Sequence, residues 1–332
     1  MKKIGIFILL LCLLLCGCAE RKKTSRSLFC MDTVMSIEAY GKNGAEAADE
    51  AEKKLKRLEK LFDRNDSESD VYKLNNRITD KTEPETEDVI DKALAAAADT
   101  GGAFDITVAP VMDLWGFYDK NYRVPDDESI KNALKSVDYR NVFKSGNGFV
   151  LTNNAKLDLG GIAKGYASSV TADILHRKGV KSAMINLGGN VYALGKQPNG
   201  KKWRVAIADP DGGSYAAALY AENEAVVTSG DYQRYFEENG EKYHHIINPE
   251  TGYPANGKIR SVTVICADAA RADAYSTALF VMGMDKAKEF LRKHTYISAV
   301  IISDDKTVYY AVSQEHEISF SDGVRAVKLE RE

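Results

Sequence analysis

The chain has 332 residues, 44% of them apolar and 28% charged, with a formal net charge of −3. That length suits one large domain or two ordinary ones. The near-neutral charge balance argues against a nucleic-acid binder, which usually carries a basic face, but it leaves room for a local anion site.

The first residues read as targeting rather than fold. Lys2 and Lys3 precede an apolar run from Ile4 to Leu15 and then Cys16-Gly17-Cys18. The run is short for a membrane span and sits where a signal-peptide core sits. Its end, LCGC, resembles a bacterial lipobox in which Cys18 is the lipidated residue; an ordinary signal peptide or an uncleaved anchor is the alternative. The expected organisation is a signal peptide over 1–17, a lipid-anchored polar tether over 18–27 and one domain over 28–332. A diacylated Cys18 would hold that domain on the extracytoplasmic face of the cell membrane, since two acyl chains anchor where one is marginal. Cys30 and Cys266 would then be the remaining thiols. They read as small buried side chains rather than a disulfide. No CxxC or histidine-rich spacing marks a soft-metal site.

In chain order, residues 28–41 read as the first strand. GAEAADEAEKKLKRLEKLF reads as an amphipathic helix with Ala45, Ala48, Ala51, Leu55, Leu58 and Leu61 at helical spacing. TEDVIDKALAAAADTGG is a second helix, stopped by Gly101 and Gly102. KLDLGG ends a strand, and IAKGYASSVTADILHRKG is the helix after it. From there SAMINLGGNVYALG, WRVAIADP and EAVVTSGDYQRYFEENGEKYHHII read as strands joined by glycine turns, with a hairpin at Asn239-Gly240. RSVTVICA is another strand. The segments 268–282 and DKAKEFLRKH are helices, and YISAVIIS with TVYYAVS closes the chain as a strand pair. Strands and helices do not alternate regularly, so the fold class is α+β with mostly antiparallel sheet.

Four stretches could carry chemistry. Asp273 and Thr277 are four apart and share a helix face, offering a carboxylate and a hydroxyl to a hard cation such as Mg²⁺; such a pair is more commonly just polar surface. Asp158, at a strand end, precedes Gly160-Gly161 and a helix bearing Lys164. That suits an anion at a helix N-terminus, though the spacing is neither a Walker loop nor GxGxxG, and a tight structural turn is the plain alternative. Thr228-Ser229-Gly230-Asp231-Tyr232 makes a hydroxyl-rich loop. His244 and His245 are adjacent, so on a strand they face opposite sides and at most one looks into a given site; His245 could be a general base, although a lone strand histidine is more often just hydrogen-bonded.

Five stretches, taken together and in order, resemble the ApbE family of FAD:protein FMN transferases: MDTVMSI, GGAFDITVAPVMDLWGF, LDLGGIAKGYA, TSGDYQRYF with HIINPETGYP, and ADAYSTALFVMG. The resemblance spans about 28–315. It implies FAD contacts at Met31, Asn65, Ala103, Phe104, Asp105, Asp158, Lys164 and Ile247. It implies magnesium ligands at the Gly161 carbonyl, Asp273 and Thr277, with Ser276 at a position that is acidic in some members. His245 becomes the candidate base, looking toward the bound dinucleotide, while His244 looks away.

The implied reaction is attack by a Ser or Thr hydroxyl of an exported acceptor protein on the FMN-side phosphorus of FAD, with AMP leaving. A Mg²⁺-dependent FAD pyrophosphatase and a non-catalytic FAD-binding lipoprotein are the rivals. Two residues depart from the family pattern. Asn248 stands where Asp is usual, and Asn65 stands where many members have an aromatic. The second departure carries the expectation of a loosely held adenine and easier hydrolysis.

Overall fold

The computed structural model describes residues 22–213 and 215–332; the expected signal peptide and Cys18 lie outside the described residues. The chain opens with strands β1 (Lys23–Cys30) and β2 (Thr33–Tyr40) and helices α1 (Gly44–Phe62), α2 (Asp70–Asn75), α3 (Pro84–Asp99), α4 (Ala109–Trp115) and α5 (Asp127–Leu134). A small hairpin, β3 (Val142–Lys144) and β4 (Phe149–Leu151), precedes helix α6 (Ala163–Arg177). Seven strands follow: β5 (Ser182–Leu187), β6 (Asn190–Gly195), β7 (Trp203–Ala208), β8 (Tyr215–Ala221), β9 (Glu224–Gly230), β10 (Tyr235–Glu238) and β11 (Glu241–His244). The chain ends with β12 (Ile259–Cys266), α7 (Ala269–Lys293), β13 (Ser298–Ser303), β14 (Val308–Ala311), β15 (Ile318–Phe320) and β16 (Ala326–Lys328).

Nine strands form one sheet in the order β1-β2-β5-β6-β9-β12-β13-β14-β16. All neighbours are antiparallel except β14 and β16, so the structure is the α+β, mostly antiparallel fold expected. Both faces of the sheet are covered, and the period of two shows it. On β9 and β12, Val227, Val262 and Val264 pack into the core shared with α1, α6 and α7. Their neighbours Val226 and Ile265 face the other way, into a second core beneath the three-stranded sheet β15-β8-β7. A third, smaller cluster surrounds Trp115 and includes Ile247, with Phe236 and Tyr243 packed against it.

The amphipathic first helix forms, with Ala48, Ala51, Leu55, Leu58 and Leu61 buried as expected, while Ala47 rather than Ala45 completes the buried face. The Asn239-Gly240 hairpin also forms, both residues having positive φ (53° and 81°), as a tight hairpin turn requires. Cys30 and Cys266 are buried and unpaired. Among the described residues no helix is long and apolar enough to cross a membrane.

Other expectations are corrected. The stretch 28–41 is not one strand but the end of β1, a tight turn and all of β2, because Met31 and Asp32 adopt φ of 50° and 58° and reverse the chain. Lys23–Ser27, expected in the tether, are strand and pair along β2. Lys23 fits because it faces solvent beside buried Thr24, and Arg26, on the other face, fits by pairing with Asp49 of α1 at 2.7 Å. The pair β13–β14 does not close the chain, since β15 and β16 follow. Strand β8, YAAALYA, is alanine-rich and has little intrinsic strand preference. It is held by pairing on both sides, to β7 and β15.

Helices α6 and α7 cross closely at Gly165. A Cβ there would lie 2.2 Å from the Ala269 carbonyl oxygen and 2.6 Å from Asp273 Cβ. Further along, α7 breaks at Gly283 (φ 72°, ψ 173°), where Gly257 crosses it and Met284 N donates to the Gly257 carbonyl. Gly165→Ala is therefore expected to overpack the crossing and lower stability by about 1–3 kcal/mol, as read from chemical denaturation. Unchanged stability would mean the two helices can separate freely.

Candidate active site

One cavity of about 600 Å³ opens at the end of the large sheet where these elements converge. The size is ordinary for a small-molecule site. Ala103, Phe104, Asp105, Asp158, Gly161, Lys164, His245, Ile247, Asp273 and Thr277 all line it. The structure thus gathers ten of the predicted residues from four separate stretches. Met31 lies in an adjoining cleft of about 310 Å³, which shares Asp158, Gly160 and Lys164 with the main cavity.

Asp273 is buried in the helix crossing. Its Oδ2 accepts the Gly165 amide at 2.8 Å. Burial raises its pKa above the ordinary carboxylate value, opposed chiefly by the nearby Lys164 ammonium. One turn on, Thr277 Oγ1 is 3.2 Å from Ser229 Oγ, and Ser229 in turn is 2.8 Å from Ser276 Oγ. Ser276 is fully buried, donates to the Asp273 carbonyl and does not line the cavity. Gly161 completes this wall: a Cβ there would sit 3.7 Å from Thr277 Oγ1. Among the described residues no group of three His, Cys, Asp or Glu is placed to hold a metal. The wall instead offers one carboxylate, one hydroxyl and a backbone carbonyl. A small hard cation that keeps waters or binds phosphate oxygens accepts such a set.

Asp158 is fixed from both sides. Its Oδ1 accepts the Gly160 amide at 2.8 Å, and its Oδ2 accepts from Arg64 at 3.3 Å. Arg64 also clamps Asp113 with two 2.7 Å bonds and lies over the Tyr118 ring, 4.6 Å from its centroid. Asp105 is buried with its oxygens engaged by Thr107 and the Tyr139 amide, so much of its hydrogen-bonding capacity serves the loop.

The two histidines differ in a way that hydrogen bonding decides. His245 Nδ1 lies 3.1 Å from the Arg234 carbonyl. A carbonyl only accepts, so Nδ1 carries the proton and Nε2 keeps a lone pair. Burial, assisted by the positive charges of Arg234 and Lys164, lowers the pKa of this ring to about 3. His244 is the reverse: Nε2 faces the Ala255 carbonyl at 3.0 Å, Nδ1 accepts from Ile246 N, and the ring packs edge-on against Phe280. His245 thus belongs to the cavity and His244 to the core. Asn248, in place of the usual Asp, still organises its turn by accepting the Glu250 amide at 2.8 Å.

Asn65 does not join this group. This residue is exposed and absent from the linings of both cavities. After α1 ends, Asp63 Oδ1 accepts the Asn65 amide in a tight turn that exposes Asn65, while its neighbour Arg64 lines the adjoining cleft. Tyr118, which sequence reading passed over, lines both spaces beside Phe117, and its hydroxyl donates to Asp63 at 2.8 Å. Arg234 was also missed. It lies within TSGDYQRYF, lines both spaces and pairs with Asp32 at 3.3 Å, but that stretch does not by itself say which of its side chains faces the cavity.

At pH 7, two-bond nitrogen–proton NMR is expected to show His245 as the Nδ1–H tautomer and His244 as Nε2–H. A folded-state pKa below the unfolded 6.5 means that protonation favours the unfolded chain. The stability from burying neutral His245 is complete above about pH 6.5 and is lost as pH falls toward about 3. The His245 signal should accordingly stay in the neutral form at pH 5.5. A titration midpoint near 6.5 would refute the buried neutral state.

The ApbE family model matches residues 31–301. The FAD:protein FMN transferase of Treponema pallidum (strain Nichols) is 32% identical over 92% of both chains. That of Klebsiella pneumoniae (strain 342) is 32% identical over 80% of this chain and 84% of its own. The crystal structure of the ApbE protein from Thermotoga maritima superposes with a TM-score of 0.82 at 35% identity, covering 87% of this chain and 97% of that one. The flavin transferase ApbE from Vibrio cholerae gives 0.76 at 25% identity, covering 91% and 98%. With its sequence, fold and clustered motifs in agreement, the chain belongs to the ApbE family.

Proposed function

We propose that the chain is an FAD:protein FMN transferase, moving the FMN moiety of FAD to a Ser or Thr hydroxyl of an exported acceptor protein and releasing AMP. The observation that carries this reading is the cavity wall itself. There, a neutral imidazole with a free Nε2 shares one space with a buried carboxylate, a hydroxyl and a lysine, in a chain whose relatives bear that name.

Asp273, Thr277 and the Gly161 carbonyl are the groups that would hold Mg²⁺; when bound, the ion supplies charge neutralisation at the pyrophosphate. The chain's own residues do the rest. Lys164, in the first turn of α6, adds positive potential where FAD carries its phosphates. His245 Nε2 is placed to take the proton of the incoming hydroxyl, and the negative charge of bound FAD phosphates would offset the burial and the positive charges that hold its pKa low. The Arg234 carbonyl holds the ring in the accepting tautomer and bonds the imidazolium that forms. The new phosphoester bond forms at the FMN-side phosphorus as the bond to the AMP phosphate breaks. The pyrophosphatase alternative draws its main support from Asn65, a residue that is exposed and outside the cavity lining. A pure FAD binder has no need of the buried Asp273 and its hydroxyl neighbours.

Export and anchoring rest on LCGC at residues 15–18. With β1 starting at Lys23, a lipidated Cys18 would tie the domain by about four residues, a reach of roughly 15 Å.

Incubation with FAD, Mg²⁺ and an exported acceptor bearing a Ser/Thr flavinylation motif should give in-gel flavin fluorescence on the acceptor. Free FMN and AMP without labelled acceptor would instead identify a pyrophosphatase, and no turnover a binder. Asp273→Asn, which keeps an acceptor for the Gly165 amide, should lower Mg²⁺-dependent transfer at least about 100-fold with the fold retained; full activity would remove Asp273 from the metal site. Cys18→Ser should yield a precursor that is not lipidated. Normal diacylated product by mass spectrometry would exclude Cys18 as the anchor.

A further inference from the structure

The outer face of the β1–β2 hairpin changes character along its length. Its cross-strand pairs run Lys23–Tyr40, Ser25–Glu38, Ser27–Ser36 and Phe29–Val34. The first three contain polar or partly covered side chains. The last is apolar and exposed, Phe29 at 69% and Val34 at 67%, the largest exposures of any large apolar side chains among the described residues. Cross-strand attraction between the two explains their fit to each other but not why they are left in water.

Their position is informative. The pair sits at the end of the hairpin whose turn residue Asp32 lines the main cavity. Asp32 is bridged to Lys120 at 3.2 Å and to Arg234 at 3.3 Å. The segments carrying those two cations add further half-exposed rings, Tyr122 and Tyr235. The turn is also buttressed: Gly188 packs so closely on Thr33 that a Cβ would lie 2.5 Å from it. A rigid apolar tip therefore stands on the rim of the cavity.

We propose that Phe29 and Val34 form a docking surface for the folded body of the acceptor protein, gripping it beside the cavity while its Ser- or Thr-bearing segment reaches inward. This rests on the transferase reading. A transferase whose second substrate is a protein needs contacts outside the cavity, and an exposed apolar pair at the hairpin end whose turn residue Asp32 lines the cavity is placed to supply them. A few apolar anchors can carry most of the affinity of a protein contact, and these two are paired across the hairpin rather than scattered.

The test first finds the acceptor: envelope proteins of the source cell are incubated with wild-type chain, FAD and Mg²⁺, and the protein that gains flavin fluorescence is purified. Transfer to it, and to a short peptide spanning its modified residue, is then measured for wild type and for the double variant Phe29→Thr, Val34→Thr. The expected result is a KM for the whole acceptor raised by about tenfold or more. The kcat, the FAD affinity and transfer to the short peptide should stay within about twofold, because the peptide is too small to reach the patch. An unchanged KM overturns the surface while leaving the transferase reading intact. An equal loss with peptide and protein overturns it too, by locating the effect in the cavity or the fold. A wild-type dimer that the double variant dissociates, seen by light scattering, reassigns the patch to self-association. Absence of labelling of any protein by wild type removes the transferase reading, and the surface with it.

Discussion

A carboxylate buried where two helices touch is the constraint on which the rest of the site depends. Asp273 lies in the crossing of α6 and α7, and the crossing is close because residue 165 has no side chain. The Gly165 amide is one fixed partner of the carboxylate. Burial without a full counter-charge is costly, which is why its pKa is displaced upward. That cost is tolerable in a site that receives a cation, and the neighbouring donors are neutral oxygens suited to one. The same crossing sets the distance between Gly161, before α6, and Thr277, on α7.

Around that crossing, the sheet supplies edges rather than faces. The two faces are consumed by packing, helices on one and a small sheet on the other. What remains for ligand binding is the end of the sheet, where the Met31–Asp32 turn, the Gly188–Gly189 turn and the end of β9 come together. Loop residues placed there inherit the rigidity of the strands behind them. The Trp115 cluster extends this support to the histidine loop: its indole donates to the Gly252 carbonyl at 2.8 Å, and Ile247 packs in the same cluster.

Adjacent histidines show how little residue type alone decides. Both rings are bonded to a backbone carbonyl, but through opposite nitrogens. One is left with its outer nitrogen available in a cavity, and the other is fastened into the core. The difference comes from which carbonyl lies beside each ring, and those carbonyls belong to Arg234 and Ala255, about ten residues away on either side.

The sequence by itself determined the long elements, the α+β class and the main chemical groups. Helical spacing in α1, the Asn-Gly hairpin and the alternation of the strands are local signals, and local signals survive without tertiary contacts. The glycine-rich turn before Lys164 and the Asp273–Thr277 spacing are likewise written in short stretches. Tertiary structure alone decided what those groups face. Strand β8 exists because neighbours pair with it on both sides, despite its alanines. Asn65 and Arg64 are adjacent in sequence, but a single bond from the Asn65 amide to Asp63 helps set a turn that leaves one exposed and the other at the cleft. Arg234, Tyr118 and the exposed Phe29–Val34 pair gain their meaning from distance in space, which depends on how the sheet closes against its helices and is invisible in a linear chain.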